Sequence, residues 1–254
     1  MEKALTLDPD QSEAHTTVAL IRELYEWDWA GAEAAFKRAI ASDPGNSEAR
    51  REYGVFLSRI GRHEEAVAEQ KYAQALDPLL LFGYTSLAYT YISMHDYDRA
   101  IAVLQEAIVM DANNSEVLYS LSWAYVRNGM IAQAMATCDR LMTLYEEYFY
   151  CPAFGYALSG KRAEAEKFVD EMIARWTQDE SGELAWNVAW VFTAMGKHEQ
   201  ALDWLERLYD KRSVWIVNLR IHALGPLRAE PRFQALLEKM ALHRPSSAQT
   251  GALG

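Results

Sequence analysis

The sequence predicts an all-α solenoid, a stack of antiparallel helix pairs, and three observations support that fold class. Half of the 254 residues are apolar, whereas glycine (13) and proline (7) are scarce, which is typical of helical proteins. Asp-Pro segments recur along the chain, with Pro44 and Pro78 separated by 34 residues. Alanines recur at the same interval, at Ala32, Ala66, Ala100 and Ala134, and a fixed period of this length indicates stacked helical repeats.

Numbering each repeat from 1 to 34 sets the repeat starts near residues 13, 47, 81, 115, 146 and 182, so that six helix pairs occupy residues 12–212. Position 20 is alanine in every repeat: Ala32, Ala66, Ala100, Ala134, Ala165 and Ala201. Position 8 is small in five repeats, and position 15 is glycine in four. Small side chains at positions 8 and 20 let the two helices cross closely, and glycine tolerates the positive φ of the turn between them. Ser47 and Ser115 are expected to cap the helices that they begin.

The two ends of the chain depart from the repeat. Residues 1–11 place Ala4 and Pro9 at positions 27 and 32, so they form either the end of a preceding repeat, in a chain that is part of something longer, or a short N-terminal cap. An incomplete repeat would expose an apolar edge through which two chains could form a homodimer. Residues 213–243 are expected to cap the last repeat, and residues 244–254, small and polar, to form a flexible tail.

Charge and cysteine content narrow the function. The formal net charge of −11 disfavours direct binding to nucleic-acid phosphates and to an anionic membrane surface. No apolar run reaches the length of about 18 residues that a membrane span needs. Two cysteines make no disulfide framework, so Cys138 is expected to be a small buried hydrophobe, and a reduced, cytoplasmic location is expected.

The repeats resemble the tetratricopeptide repeat (TPR), on the strength of the 34-residue period and the small residues at positions 8 and 20. The resemblance implies a right-handed superhelix in which the first helix of each pair lines the concave side. Residues 24–40 and 227–237 are further similar to the C-terminal TPR arrays of bacterial multidomain regulators that carry winged-helix, cyclase or kinase domains. This second resemblance implies a non-catalytic scaffold within a bacterial signalling or transcriptional regulator.

An aromatic strip is the candidate binding surface. In TPR arrays, positions 5 and 9 of the first helix usually face the groove, and both are aromatic in repeats 4, 5 and 6. A spacing of four residues stacks each pair on one helix face. The candidate partner groove comprises Tyr89, Tyr119, Trp123, Tyr150, Phe154, Trp186, Trp190 and Arg51. Glutamates at position 2, namely Glu116, Glu147 and Glu183, would favour a partner that carries Lys or Arg.

Two interpretations of this strip stay open. In one, the strip is accessible and binds an apolar peptide or an amphipathic helix of a protein partner. In the other, the aromatic side chains pack on neighbouring helices, or residues 213–222 fold back over them. The Lys and Asn residues with which some TPR proteins clamp heat-shock chaperone tails are absent from positions 5 and 9.

No motif indicates catalysis, a cofactor or a metal site. The sequence has no His-Glu-x-x-His or Cys-x-x-Cys pair, no glycine-rich phosphate loop and no Gly-x-Ser-x-Gly. His63, His95 and His198 fall in the turns between paired helices and are expected to be solvated. The predicted function is therefore a protein-interaction scaffold, and the alternative is a sensor that binds a small hydrophobic molecule in the same groove.

Overall fold

The computed structural model describes residues 11–176, 182–220 and 222–242. Within these ranges the chain forms 13 α-helices and no strands, which confirms the all-α solenoid. Twelve helices form six consecutive pairs: α1 (Ser12–Ile21) with α2 (Trp29–Ser42), α3 (Ser47–Arg59) with α4 (His63–Leu76), α5 (Leu81–Ser93) with α6 (Tyr97–Met110), α7 (Ser115–Arg127) with α8 (Ile131–Leu144), α9 (Pro152–Leu158) with α10 (Arg162–Trp176), and α11 (Glu183–Ala194) with α12 (His198–Asp210). Two 3-10 segments, Val214–Asn218 and His222–Ala229, lead to α13 (Pro231–Lys239).

Local sequence explains where the helices start and turn. The side chains of Asn46 and Asn114 accept hydrogen bonds from Ala49 N and Val117 N, at 3.0 and 3.1 Å. The caps therefore lie one residue before the serines that the sequence predicted, because an asparagine outside the helix can reach the third amide inside it. Gly61 in the turn between α3 and α4 has a φ of 87°, which glycine adopts without strain.

The alanines at position 20 carry the packing within each pair. All six are 0% exposed, because the partner helix lies directly over their methyl groups. Larger side chains flank them, such as Phe36 and Leu104 at position 24, and complete the core between the helices. Each pair therefore buries one apolar face within itself and a second against the next pair, as expected for a solenoid.

Repeat 5 is the irregular unit. Its first helix, α9, has seven residues and follows a 3-10 turn at Glu146–Tyr148. Cys151, just before α9, forms a disulfide with Cys138 on α8, with a Cα–Cα distance of 5.5 Å. The prediction that Cys138 is buried is confirmed, at 1% exposure, but Cys138 is not a free thiol, because the tight turn into α9 brings Cys151 back over α8. The expectation of a cytoplasmic location loses the support that unpaired cysteines would have given it.

The first repeat packs against the C-terminal segment, so the two ends of the solenoid meet. Trp29 Nε1 donates a hydrogen bond to the carbonyl oxygen of Met240, at 2.7 Å. Trp27 stacks on Tyr209 with ring centroids 5.2 Å apart, and the Arg212 guanidinium lies over the Trp27 ring at 4.6 Å. This closure narrows one end of the concave groove of the solenoid.

Several expectations about the ends lie outside the described residues. These are the conformation of residues 1–10, the homodimer edge that it would create, and the tail at 244–254. Among the helices that are described, none combines the length and the hydropathy needed to cross a lipid bilayer.

The close helix crossing generates a stability prediction. Ala100→Leu adds three carbons where α5 and α6 touch, so we expect the free energy of unfolding to fall by about 1–3 kcal/mol through overpacking. Ala102→Leu on the same helix is the matched control, because Ala102 is exposed, and it should change stability by less than about 0.5 kcal/mol. Urea denaturation followed by circular dichroism measures both. Equal effects of the two variants would show that position 20 is not a tight crossing.

Candidate functional site

The concave side contains a cavity of about 330 Å³ that is open to solvent at the rim. Its walls are α3, α5, α7 and α11, which are the first helices of four repeats, together with two side chains of α4 and residues 215–220. The cavity therefore lies where the TPR resemblance implied a groove. It is shorter than that groove, because the C-terminal segment closes it on the side of the first repeat.

The predicted groove residues divide into two groups. Five of them line the cavity: Arg51, Tyr89, Tyr119, Trp186 and Trp190. The other three pack beside it: Trp123 lies between Phe154 and Trp190, with ring centroids 4.5 and 4.0 Å away, and Tyr150 is 6% exposed. The aromatic side chains therefore do not form a continuous accessible strip, because Tyr150 and Phe154, at the short α9, are buried in the core.

The aromatic side chains that reach the cavity form a floor and a rim. Trp186 and Trp190 on α11 are 1% and 4% exposed and make the floor. Phe82 and Tyr89 on α5 are 54% and 36% exposed and make the rim. Rim side chains of this kind can pack on a ligand without disturbing the core.

Arg51, on the α3 wall, is neutralised by its neighbours. Its Nη2 lies 2.6 Å from both Glu48 and Glu52. Burial opposes the charge of the guanidinium, yet these carboxylates together hold its pKa above the ordinary value. Arg51 is therefore a fixed, already paired cation.

The predicted acidic rim exists only in part. Glu116 lines the cavity and accepts a hydrogen bond from Tyr148 Oη at 2.9 Å. Glu183 accepts a hydrogen bond from Tyr150 Oη at 2.5 Å and lies outside the cavity lining, and Glu147 is exposed elsewhere. Burial raises the pKa of Tyr150 well above its usual range, so the phenol stays protonated.

Arg59 joins three parts of the chain at the edge of the cavity. Its Nη1 lies 2.7 Å from Glu23 Oε1 in the first repeat, and its Nε donates to Asn218 Oδ1 at 3.0 Å. Glu23 is 0% exposed, and burial raises its pKa against the opposing effect of Arg59. The nearby Arg220 donates from Nη1 to the carbonyl oxygen of Ile60, at 2.8 Å. These polar contacts thus join the first repeat, α3 and the C-terminal segment at the edge of the cavity.

Sequence reasoning missed several cavity residues. Trp215, Asn218 and Arg220 lie in the C-terminal segment, so part of the expected fold-back is present, as a wall and not as a lid over every aromatic residue. His63 lines the cavity and is half-buried, whereas the sequence predicted a solvated turn residue. Gln70 is 0% exposed and lines the cavity; a polar residue at a core position was the signal that could have revealed it.

Paired helices, small crossing residues and a concave cavity define the fold class as a helical-repeat solenoid. Residues 22–79 and 91–145 match family models of the tetratricopeptide repeat. The chain therefore contains tetratricopeptide repeats, in agreement with the 34-residue period.

Known proteins are similar to this chain in sequence or in fold. The chain is 24% identical over 124 residues to an N-terminal acetyltransferase A complex subunit-like protein of Schizosaccharomyces pombe, covering 48% of this chain and 18% of that protein's length. The solved structure of Pseudomonas aeruginosa pilF superposes with a TM-score of 0.54 at 19% identity, covering 69% of this chain and 81% of its own. A tetratricopeptide repeat protein of Parabacteroides merdae gives a TM-score of 0.53 at 18% identity, covering 87% and 91%. These structural likenesses show the fold alone.

The buried Glu23–Arg59 pair generates a second prediction. Arg59→Met removes the cation beside a carboxylate that has no access to water, so we expect a loss of about 3–5 kcal/mol in the free energy of unfolding. Adding Glu23→Gln should recover most of that loss. Arg175→Met is the control, because its pair with Glu171 is exposed and should contribute less than about 1 kcal/mol. If the double variant is as unstable as Arg59→Met, the buried charge is not the cause.

His63 generates a pH prediction. Desolvation lowers its pKa below the ordinary 6.5, and Arg220 and Arg228 lower it further against the opposing charge of Glu64. As the pH falls through 6.5, the unfolded chain takes up a proton that the folded chain does not, so the stability of the fold decreases.

The measurement is the free energy of unfolding from neutral to mildly acidic pH, for wild type and for His63→Gln. The difference between the two curves isolates this residue from other titrating groups. We expect wild type to lose stability more steeply than the variant. A difference that does not change with pH would contradict the lowered pKa of His63.

Proposed function

We propose that the protein is a non-catalytic interaction scaffold that binds a short peptide segment of a partner protein in the concave cavity. The observation that carries the proposal is the cavity itself, with an exposed rim of Phe82 and Tyr89 above a floor of Trp186 and Trp190. Aromatic side chains give a large contact area at little entropy cost and dominate binding energy at interfaces.

The shape of the cavity favours a peptide end or loop over a long helix. Trp215 and Asn218 close the groove on one side, so a helix cannot run through its whole length. A volume of about 330 Å³ also lies near the lower end of the range for ligand sites. The segment that enters is therefore a few residues long, and the rest of the partner lies outside the cavity.

The cellular role is a further part of the proposal. Residues 24–40 and 227–237 resemble arrays of bacterial regulators, so we place the scaffold in a signalling or transcriptional regulator. The S. pombe relative is named as a subunit-like protein of an acetyltransferase complex, which is compatible with a non-catalytic role within an assembly. The role in a regulator and the role within an assembly are inferred from similarity to other proteins, whereas the peptide site is inferred from the cavity of this chain.

The binding test uses a displayed library of random short peptides. Peptides selected on the wild-type protein should bind Tyr89→Ala at least about tenfold more weakly, because the rim loses its central aromatic contact. Tyr72→Ala is the matched control, since Tyr72 is exposed on α4 and lies outside the cavity lining. Fluorescence anisotropy of labelled peptides gives the dissociation constants. If the peptides bind Tyr89→Ala as tightly as wild type, or bind Tyr72→Ala more weakly, then the binding surface is not this cavity.

A sensor of small molecules is the second candidate, and one observation favours it. The C-terminal segment supplies part of the cavity wall through Trp215, Asn218 and Arg220, so a ligand there would touch the contacts that close the solenoid. A sensor would be thermally stabilised by a small hydrophobic molecule without any protein partner, following mass action. If no peptide is selected and such stabilisation is found, the sensor replaces the scaffold.

A further inference from the structure

Gln70 is a polar residue at a repeat position that is apolar or cysteine in the other five repeats. It occupies position 24, the core position of the second helix. The other five repeats place a buried apolar or sulfur side chain there: Phe36, Leu104, Cys138, Val169 and Leu205. Gln70 is equally buried, at 0% exposure. The chain therefore places an amide where its own pattern calls for a hydrocarbon.

The amide of Gln70 has no hydrogen-bond partner among the residues that the structure describes, at either Nε2 or Oε1. An unpaired buried polar group costs folding free energy, whereas an apolar side chain of similar size would cost nothing. The amide has no accessible surface, so a ligand that enters the cavity supplies both missing hydrogen bonds only when neighbouring side chains shift and expose it. The Gln70 amide therefore carries a folding cost that such a ligand would offset.

Gly54 makes the position of Gln70 possible. Gly54 lies on α3 at position 8, where the Cβ of any larger residue would come within 2.5 Å of Gln70 Cγ. The glutamine stem thus lies against the bare backbone of α3, with its side chain in the cavity lining. The Gly54–Gln70 pair is a local departure within repeat 2, where the helix crossing otherwise follows the common pattern.

Other unpaired polar groups line the same cavity. The indole Nε1 atoms of Trp186 and Trp190 are buried and have no acceptor in the described part of the chain, and His63 Nδ1 also lacks a partner there. The cations of the wall have partners: Arg51 is paired with Glu52, Arg59 with Glu23, and Arg220 donates to the carbonyl oxygen of Ile60. The unpaired atoms of the lining side chains named here therefore belong to uncharged groups.

We propose that Gln70 is the ligand-recognising residue of the cavity and that it binds an uncharged peptide-type amide, while the floor of Trp186 and Trp190 holds an adjoining apolar group. A glutamine side chain offers one acceptor and two donors, so it can pair with the N–H and C=O of one amide. This inference rests on the proposed function, since it names the chemical group that the bound peptide presents.

The experiment uses N-acetylphenylalaninamide as the probe, with binding followed by intrinsic tryptophan fluorescence. Wild type should bind the probe with a millimolar dissociation constant, and Gln70→Leu should bind it at least about tenfold more weakly. N-acetylphenylalanine, ionised at neutral pH, should bind wild type more weakly than the amide does. Gln133→Leu, at an exposed position of α8, is the matched control and should bind like wild type.

Stability supplies a second readout that a purely structural role would not produce. Gln70→Leu should raise the melting temperature of the empty protein, because leucine is the residue that repeats 3 and 6 carry at this position. A lowered melting temperature would show that the amide stabilises the fold and would overturn the inference. Unchanged probe binding by Gln70→Leu, or no binding of the amide to wild type, would overturn it too. Displayed peptides that need Tyr89 but not Gln70 would refute this inference and leave the proposed function standing.

Discussion

The shape of the molecule depends on contacts between the first repeat and the C-terminal segment, and the guanidinium of Arg59 touches both. It lies on α3 and bonds Glu23 in the first repeat and Asn218 in the C-terminal segment. Because Glu23 has no access to water, its carboxylate needs this partner, and the first repeat is held where Arg59 can reach it. An open solenoid must cover its two apolar ends with separate caps. Here the ends meet and cover one another, and the groove becomes a cavity.

The residue types required at fixed positions of the repeat could be predicted from the sequence, because the same requirement recurs in each of the six repeats. The crossing of paired helices demands a small residue at position 20, and Ala66 and Ala165 meet that demand as fully as Ala100 does. The turn between helices demands a positive φ, so glycine recurs there; in repeat 3 the non-glycine residue His95 takes that conformation, with a φ of 65°. These demands act between residues that are near in sequence, so the helix pairs follow from local pattern.

Contacts between distant parts of the chain could not be predicted in the same way. The helix face of Trp123 shows that it points to the concave side, but not that the concave side is narrow enough for it to meet Trp190. The bond between Arg59 and Asn218 joins residues 159 positions apart, and nothing periodic marks it. The disulfide at Cys138 depends on how tightly the chain turns into the short α9. Gln70 is different, since comparing position 24 across the repeats would have singled it out.

The two kinds of cavity wall together constrain what can bind. Repeat 2 supplies the polar wall, with the paired Arg51 and the unpaired amide of Gln70, and α11 supplies the aromatic floor. A purely apolar ligand would fill the floor but leave the buried amide unpaired, and the wall cations Arg51 and Arg59 already have carboxylate partners. An uncharged group with both a donor and an acceptor, joined to an apolar side chain, satisfies both walls at once. A peptide backbone beside a hydrophobic residue has that composition, so the uneven distribution of polarity between repeats 2 and 6 itself favours a peptide ligand.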